Sequence, residues 1–244
     1  MRLKPSVLLG ALLFLIRASS EAMVTDVHAQ QISDKLAEYR CPGIAVVVTG
    51  ASNEERRLIC AAAKQADGLF GQCGLTNMPL IQVQIQTKPP HVCGVDAFAS
   101  FDAQSQSIKL VNKAACHRLA ISNPAYSVLP FADFYKSLVV HEIAHQIFRS
   151  HLKGKVVSRA THEYVAYAIQ IVSMPQEVRT QFLERVRRGP TSNLDPFVDM
   201  VLLMSPTYFA AMAYDHFSAP GNGCRILQGV LRGTIEFPTN DLLE

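Results

Sequence analysis

The sequence predicts an α+β protein, strand-rich in its first half and helical in its second. Three observations carry that expectation. β-branched or alternating apolar runs crowd residues 44–111. From residue 131 onward, apolar residues recur at helical spacing instead. One helix, near residues 54–69, interrupts the strands. The chain has 244 residues, 49% of them hydrophobic, enough to bury a sizeable core. The expected plan is a mixed sheet with a helix, then a central buried helix, then a helical C-terminal lobe.

Residues 1–22 read as a signal peptide. Arg2 and Lys4 supply a charged start, residues 7–16 are apolar, and Ser20-Glu21-Ala22 fits a small-x-small cleavage site, with Val27-His28-Ala29 as a second candidate. An apolar run this short does not span a bilayer, which needs roughly 20 residues. The expectation is a secreted or periplasmic protein with no stable membrane anchor after cleavage. Residues 23–244 then form a single domain, with an N-lobe to about residue 152 and a C-lobe beyond it. The six cysteines (Cys41, Cys60, Cys73, Cys93, Cys116, Cys224) all follow the cleavage point, which predicts up to three disulfides of open pairing. Net charge is +3, and Arg185-Val-Arg187-Arg188 is the sole basic block, so no nucleic-acid partner is expected. Oligomeric state is not legible.

In chain order, a short helix carrying Ile32, Leu36 and Tyr39 leads to the break Cys41-Pro42-Gly43. Residues 44–49 are continuous and β-branched, the mark of a buried strand. Ser52 or Asn53 caps a helix whose first turn holds Glu54 and Glu55, and Gly68, Gly71 and Gly74 end it. Residues 81–86 alternate apolar and Gln, a strand with one wet face. Residues 93–101 and 107–111 read as a hairpin. Residues 112–123, with Cys116 and His117, read as irregular. A helix from about 131 to 151 is apolar nearly all round, hence buried. Lys153-Gly154 stops it. A second helix from Ser158 to about residue 172 puts Glu163, Ala166, Tyr167 and Gln170 on one face. Pro175 opens a third. A linker at 189–196 precedes helices at about 197–204, 206–217 and 224–231.

The buried central helix contains His141-Glu142-Ile143-Ala144-His145. Four residues apart on a helix, the two imidazoles lie on one face and can share one Zn²⁺, with Glu142 beside them as general base. With 8 His among 244 residues, chance supplies this His-Glu-x-x-His pattern about 0.01 times. A catalytic zinc needs a third protein ligand. His151 is a weak candidate, because six further helical residues rotate it by about 600° from His145, and Phe148 sits where a turning glycine is needed. Glu163, on the next helix after the Gly154 turn, is the better one, since a buried carboxylate needs a cation. His162 is the adjacent alternative.

With His141, Glu142 and His145 on one helix and Glu163 on the next, the chain resembles the gluzincin zinc metallopeptidases. The preceding strand–helix–strand–hairpin order is similar to a zincin N-terminal lobe. The well-known Asn-Glu-Ala and Asn-Glu-Gly-Phe signatures are absent, and His162-Glu163-Tyr164-Val165 stands in their place. The resemblance implies one Zn²⁺ per chain and hydrolysis of peptide bonds in a peptide or protein substrate, with Glu142 activating a coordinated water. It also implies a sheet edge, near residues 95–101 or 108–111, that receives extended substrate. An oxyanion partner is expected from the C-terminal lobe, with His216, Tyr214 and Tyr208 as candidates. The alternatives are a non-catalytic exported metal-binding or assembly protein on the same scaffold, and a disulfide-framed protein without metal.

Overall fold

The computed structural model describes residues 38–92, 95–102, 107–186 and 193–238. The expected signal peptide, the leading helix around Ile32 and Leu36, the tip of the hairpin and the start of the 189–196 linker lie outside them. The described chain is α+β, as expected. Five strands form one mixed sheet in the order β1 (Tyr39–Arg40), β2 (Val46–Thr49), β3 (Ile81–Gln86), β7 (Ser107–Val111), β6 (Ala99–Asp102). β2, β3 and β7 run parallel, while β1 and β6 are antiparallel additions at the two edges. β4 (His91–Val92) and β5 (Val95–Asp96) make a separate small ribbon. The hairpin read at 93–111 is therefore β6–β7, with its first arm shorter than expected.

Helix α1 (Asn53–Gln72) begins where the sequence put its cap. Ser52 accepts from the Glu55 backbone N–H, and the Glu55 carboxylate accepts from the Ser52 N–H, a reciprocal capping box. The buried Glu55 also accepts from the Lys113 N–H at 2.8 Å, which ties the start of α1 to that of α2 (Lys113–Ile121). This second helix corrects the irregular reading of 112–123. Asn112 caps it through the Ala115 N–H, and only Ala115, Cys116 and Ala120 are buried, a face too sparse and small to register as a helical period.

Helix α3 (Phe131–Leu152) is the centre of the molecule. Thirteen of its residues are buried, on every face, as its all-round apolarity requires. It ends at Lys153, which is left-handed at φ 50°, followed by Gly154 at φ 85°. α4 (Arg159–Ser173), capped by Ser158, then turns back along it. Contacts run in opposite order on the two helices: Phe148 meets His162, His141 meets Tyr167, and Ser137 meets Gln170. The pair is thus an antiparallel helical hairpin. α3 also packs on α1, and α4 on α7. α5 (Gln176–Arg185), α6 (Asp199–Met204), α7 (Pro206–Ser218) and α8 (Cys224–Arg232) complete the C-terminal lobe.

Two disulfides are present among the described residues. Cys41–Cys60 links β1 to α1, and Cys73–Cys224 joins the end of α1 to the start of α8 across 151 residues. Cys116 is buried and free, so a third pairing involving it is not formed, and Cys93 lies outside the described residues. Disulfides are compatible with export. No helix among the described residues is long and apolar enough to cross a membrane.

Candidate metal centre

The helical hairpin brings His141, His145 and Glu163 together, and their ligand atoms all lie within 4.8 Å of one another. The two Nε2 atoms face each other at 3.1 Å. The Glu163 carboxylate straddles them, with Oε2 at 3.4 Å from His141 Nε2 and Oε1 at 3.7 Å from His145 Nε2. Two imidazole nitrogens pointed at one another and at a carboxylate place three electron pairs on one small volume. That donor set is suited to a single cation. The group can hold a metal ion.

Electrostatics support the same view. Burial lowers the pKa of His141, but the adjacent Glu163 carboxylate outweighs it and the net shift is upward. Burial dominates at His145 and holds it far down, at about 3, so this imidazole stays neutral and keeps its lone pair. Burial raises Glu163, yet His145 and His141, with a smaller contribution from Arg159, hold it down to about 2, leaving it anionic. Glu142 is different. Burial pushes its carboxyl up to about 7, against the partial relief of His141. It makes no hydrogen bond or ion pair with the described residues, and it lines the open space beside the cluster.

That space is a cleft of about 690 Å³. One wall is the hairpin, with His141, Glu142, His145, Arg149, Arg159, His162, Glu163 and Tyr167. The other is the sheet edge, with Ala97, Ala99, Ser100 and Phe101. Among the described residues β6 is hydrogen-bonded only to β7, and β7 lies between β3 and β6. The free edge at the site is therefore β6, which separates the two candidate segments read from the sequence.

Behind the cluster lies a polar relay that sequence reasoning did not find. The Ser137 hydroxyl donates to the Phe134 carbonyl at 2.8 Å and accepts from the Gln170 amide at 3.3 Å. This orients the Gln170 amide with its carbonyl oxygen the other way, towards His141. His141 Nδ1 and Gln170 Oε1 are both buried and both lack a partner at strict hydrogen-bond geometry. They are complementary, an N–H and a carbonyl, and the Gln170 side chain already favours the protonated ring. A proton on Nδ1 leaves the Nε2 lone pair of His141 free for a metal. Helical periodicity had put Gln170 and Tyr167 on the Glu163 face, and that spacing was the one available signal. Tyr167 packs edge-on against His141, with ring centroids 4.5 Å apart.

The expected oxyanion donors are not brought to the cleft. His216 is buried in the C-terminal lobe, its Nδ1 2.7 Å from the Tyr164 hydroxyl and its ring against Phe197. Tyr214 lies under the Arg179 guanidinium, 5.5 Å from ring centroid to carbon. Tyr208 packs against the core and does not line the cleft. Tyr167 is the tyrosine that does line the cleft. His151 is not a ligand either, because its ring nitrogens sit 2.8 Å from the Ile147 carbonyl oxygen and 2.9 Å from that of Thr76. His162 lines the cleft beside the cluster, its ring centroid 6.2 Å from that of His145.

Fold and site thus define an α+β protein with a His₂Glu group, able to hold a metal ion, at the edge of a mixed sheet. Residues 46–240 match the model of a family of unknown function, DUF6639, and the chain belongs to that family. No curated protein and no solved structure matches the chain.

Proposed function

We propose that the protein is an exported zinc metallopeptidase of the gluzincin type. The observation that carries this reading is the convergence of His141, His145 and Glu163 on one point, with the unpartnered Glu142 beside them and the free β6 edge opposite. Two imidazoles and one carboxylate are a donor set of hydrolytic zinc sites, which keep one position open for water. A bound Zn²⁺ supplies Lewis acidity, lowering the pKa of water and polarising a carbonyl.

The chain's own residues do the rest. The β6 backbone, with one side unpaired among the described residues, holds an extended peptide by strand addition and lays it across the cleft. Glu142, with its carboxyl raised to about 7, accepts a proton from the attacking water near neutral pH and passes it to the leaving amine. Burial keeps the Tyr167 phenol protonated, so it remains a hydrogen-bond donor for the developing oxyanion. The paired cysteines and the apolar N-terminus support an oxidising, extracytoplasmic location.

The test is a purified, metal-analysed protein incubated with an unfolded protein and a peptide library, with and without chelator. Zinc at one per chain and chelator-sensitive cleavage are expected. Glu142→Gln should retain the zinc and lose hydrolysis by about 10²–10⁴-fold. Cleavage that survives this substitution overturns the reading.

A further inference from the structure

Two arginines line the cleft without forming an ion pair among the described residues, and each sits one helical turn from a metal-cluster residue. Arg149 follows His145 by four on α3, and Arg159 precedes Glu163 by four on α4. The connection at 153–158 joins the two helices, so both guanidiniums lie at the same end of the hairpin. Both are exposed and both line the cleft. Arg149 reaches across to the sheet, its guanidinium 5.1 Å over the ring of Phe101 on β6. This stacking holds it beside the free strand edge and leaves its N–H fork open.

The position of Arg159 is costly. It is the first residue of α4, where the helix dipole is positive and cations are disfavoured. The first turn of α4 contains no acidic residue to offset it. The Asp199 carboxylate, which approaches this helix end, accepts the Ala160 N–H at 2.7 Å and forms no ion pair with Arg159. The remaining anions of the cleft, Glu142 and Glu163, are at the cluster, where a bound divalent ion would offset their charge. Arg159 feels the Glu163 carboxylate at a distance, but neither guanidinium is paired with an anion among the described residues, and their N–H forks stay open to the cleft.

From this we infer that the hairpin end of the cleft is a carboxylate subsite, in which Arg149 and Arg159 select substrates bearing an anionic group next to the scissile bond. The inference rests on the peptidase reading and adds a substrate class to it. A carboxylate matches the guanidinium fork, and two guanidiniums gathered at this end of the cleft attract an anionic group there. Two sources carry that group: an Asp or Glu side chain, and the C-terminus of the substrate chain.

The experiment uses zinc-loaded full chain carrying Glu142→Gln, which binds without cutting, and labelled alanine-rich peptides of one parent sequence. One arm places Glu or Gln at successive positions, all with amidated ends. The other compares a free C-terminal carboxylate with its amide. Fluorescence anisotropy should give about tenfold tighter binding for the anionic member of one arm, and that arm names the source. Arg149→Gln with Arg159→Gln, both exposed positions, should bring the anionic-to-neutral ratio to about one, and the Lys replacements should leave it intermediate. Equal binding of anionic and neutral peptides, or a ratio that survives the double substitution, overturns the subsite. Cleavage by the wild-type chain is measured on the same peptides. Anion-selective binding without cleavage upholds the subsite and sinks the peptidase reading, whereas cleavage without anion preference does the reverse.

Discussion

Helix α4 supplies a tyrosine to each of two buried histidines, and the two pairs differ in what they leave free. In the C-terminal lobe, the Tyr164 hydroxyl meets His216 Nδ1 at 2.7 Å, inside a shell of Phe197, Phe217 and Phe237. The nitrogen and the hydroxyl satisfy one another, and the pair is part of the core. At the cleft, Tyr167 touches His141 through ring faces and edges. Its hydroxyl makes no hydrogen bond with the described residues, and the Nε2 of His141 points at His145 and Glu163. Both histidines are buried and both have aromatic neighbours. What separates a structural histidine from a ligand is the direction of its lone pair and whether the protein has already filled it.

That contrast can be broken by substitution. Glu163→Ala should have the largest effect, lowering zinc affinity by more than about 100-fold, as read by competitive chelator titration. Full zinc occupancy in this variant would move the third ligand to another residue, with His162 the one at hand in the cleft. Gln170→Leu is expected to weaken zinc by roughly 10–100-fold while the fold persists, because it removes the acceptor that orients His141. An unchanged affinity would mean that His141 Nδ1 has another partner. Protons should compete for the cluster at His141, whose pKa is raised. Below that pKa, zinc affinity is expected to fall by about tenfold per pH unit, and binding isotherms across mildly acidic buffers check this. At the opposite pair the expected effect is on stability alone. Tyr164→Phe leaves His216 Nδ1 without its partner and should cost about 1–3 kcal/mol in urea unfolding, with zinc content equal to wild type. Lost zinc in that variant would mean that the two pairs are coupled through α4.

Much of this architecture was legible because it is written locally. Ser52 and Glu55, Lys153-Gly154 and Ser158 mark helix ends by short-range hydrogen bonds and backbone sterics, and the alternation in residues 81–86 marks a strand with one wet face. The α2 helix was not legible, since a short Ala-rich segment with a sparse buried face carries no clear period. His216 and Tyr214 were attractive as chemistry-bearing residues in the correct lobe. Their distance from the cleft depends on how α7 docks on α4, a sum of many apolar contacts that no short pattern records.

The sequence by itself determined the helical face shared by His141 and His145, the adjacent Glu142, and the recurrence of Glu163, Tyr167 and Gln170 along one side of α4. These follow from 3.6-residue periodicity, which is a property of the backbone. Only the tertiary structure decided that the two faces meet, that β6 rather than β7 is the open edge among the described residues, that Tyr164 is spent on His216 while Tyr167 faces the cleft, and that Arg149 and Arg159 converge there without an ion pair. Those outcomes depend on the docking of separate elements, and so on burial and shape complementarity across residues distant in the chain.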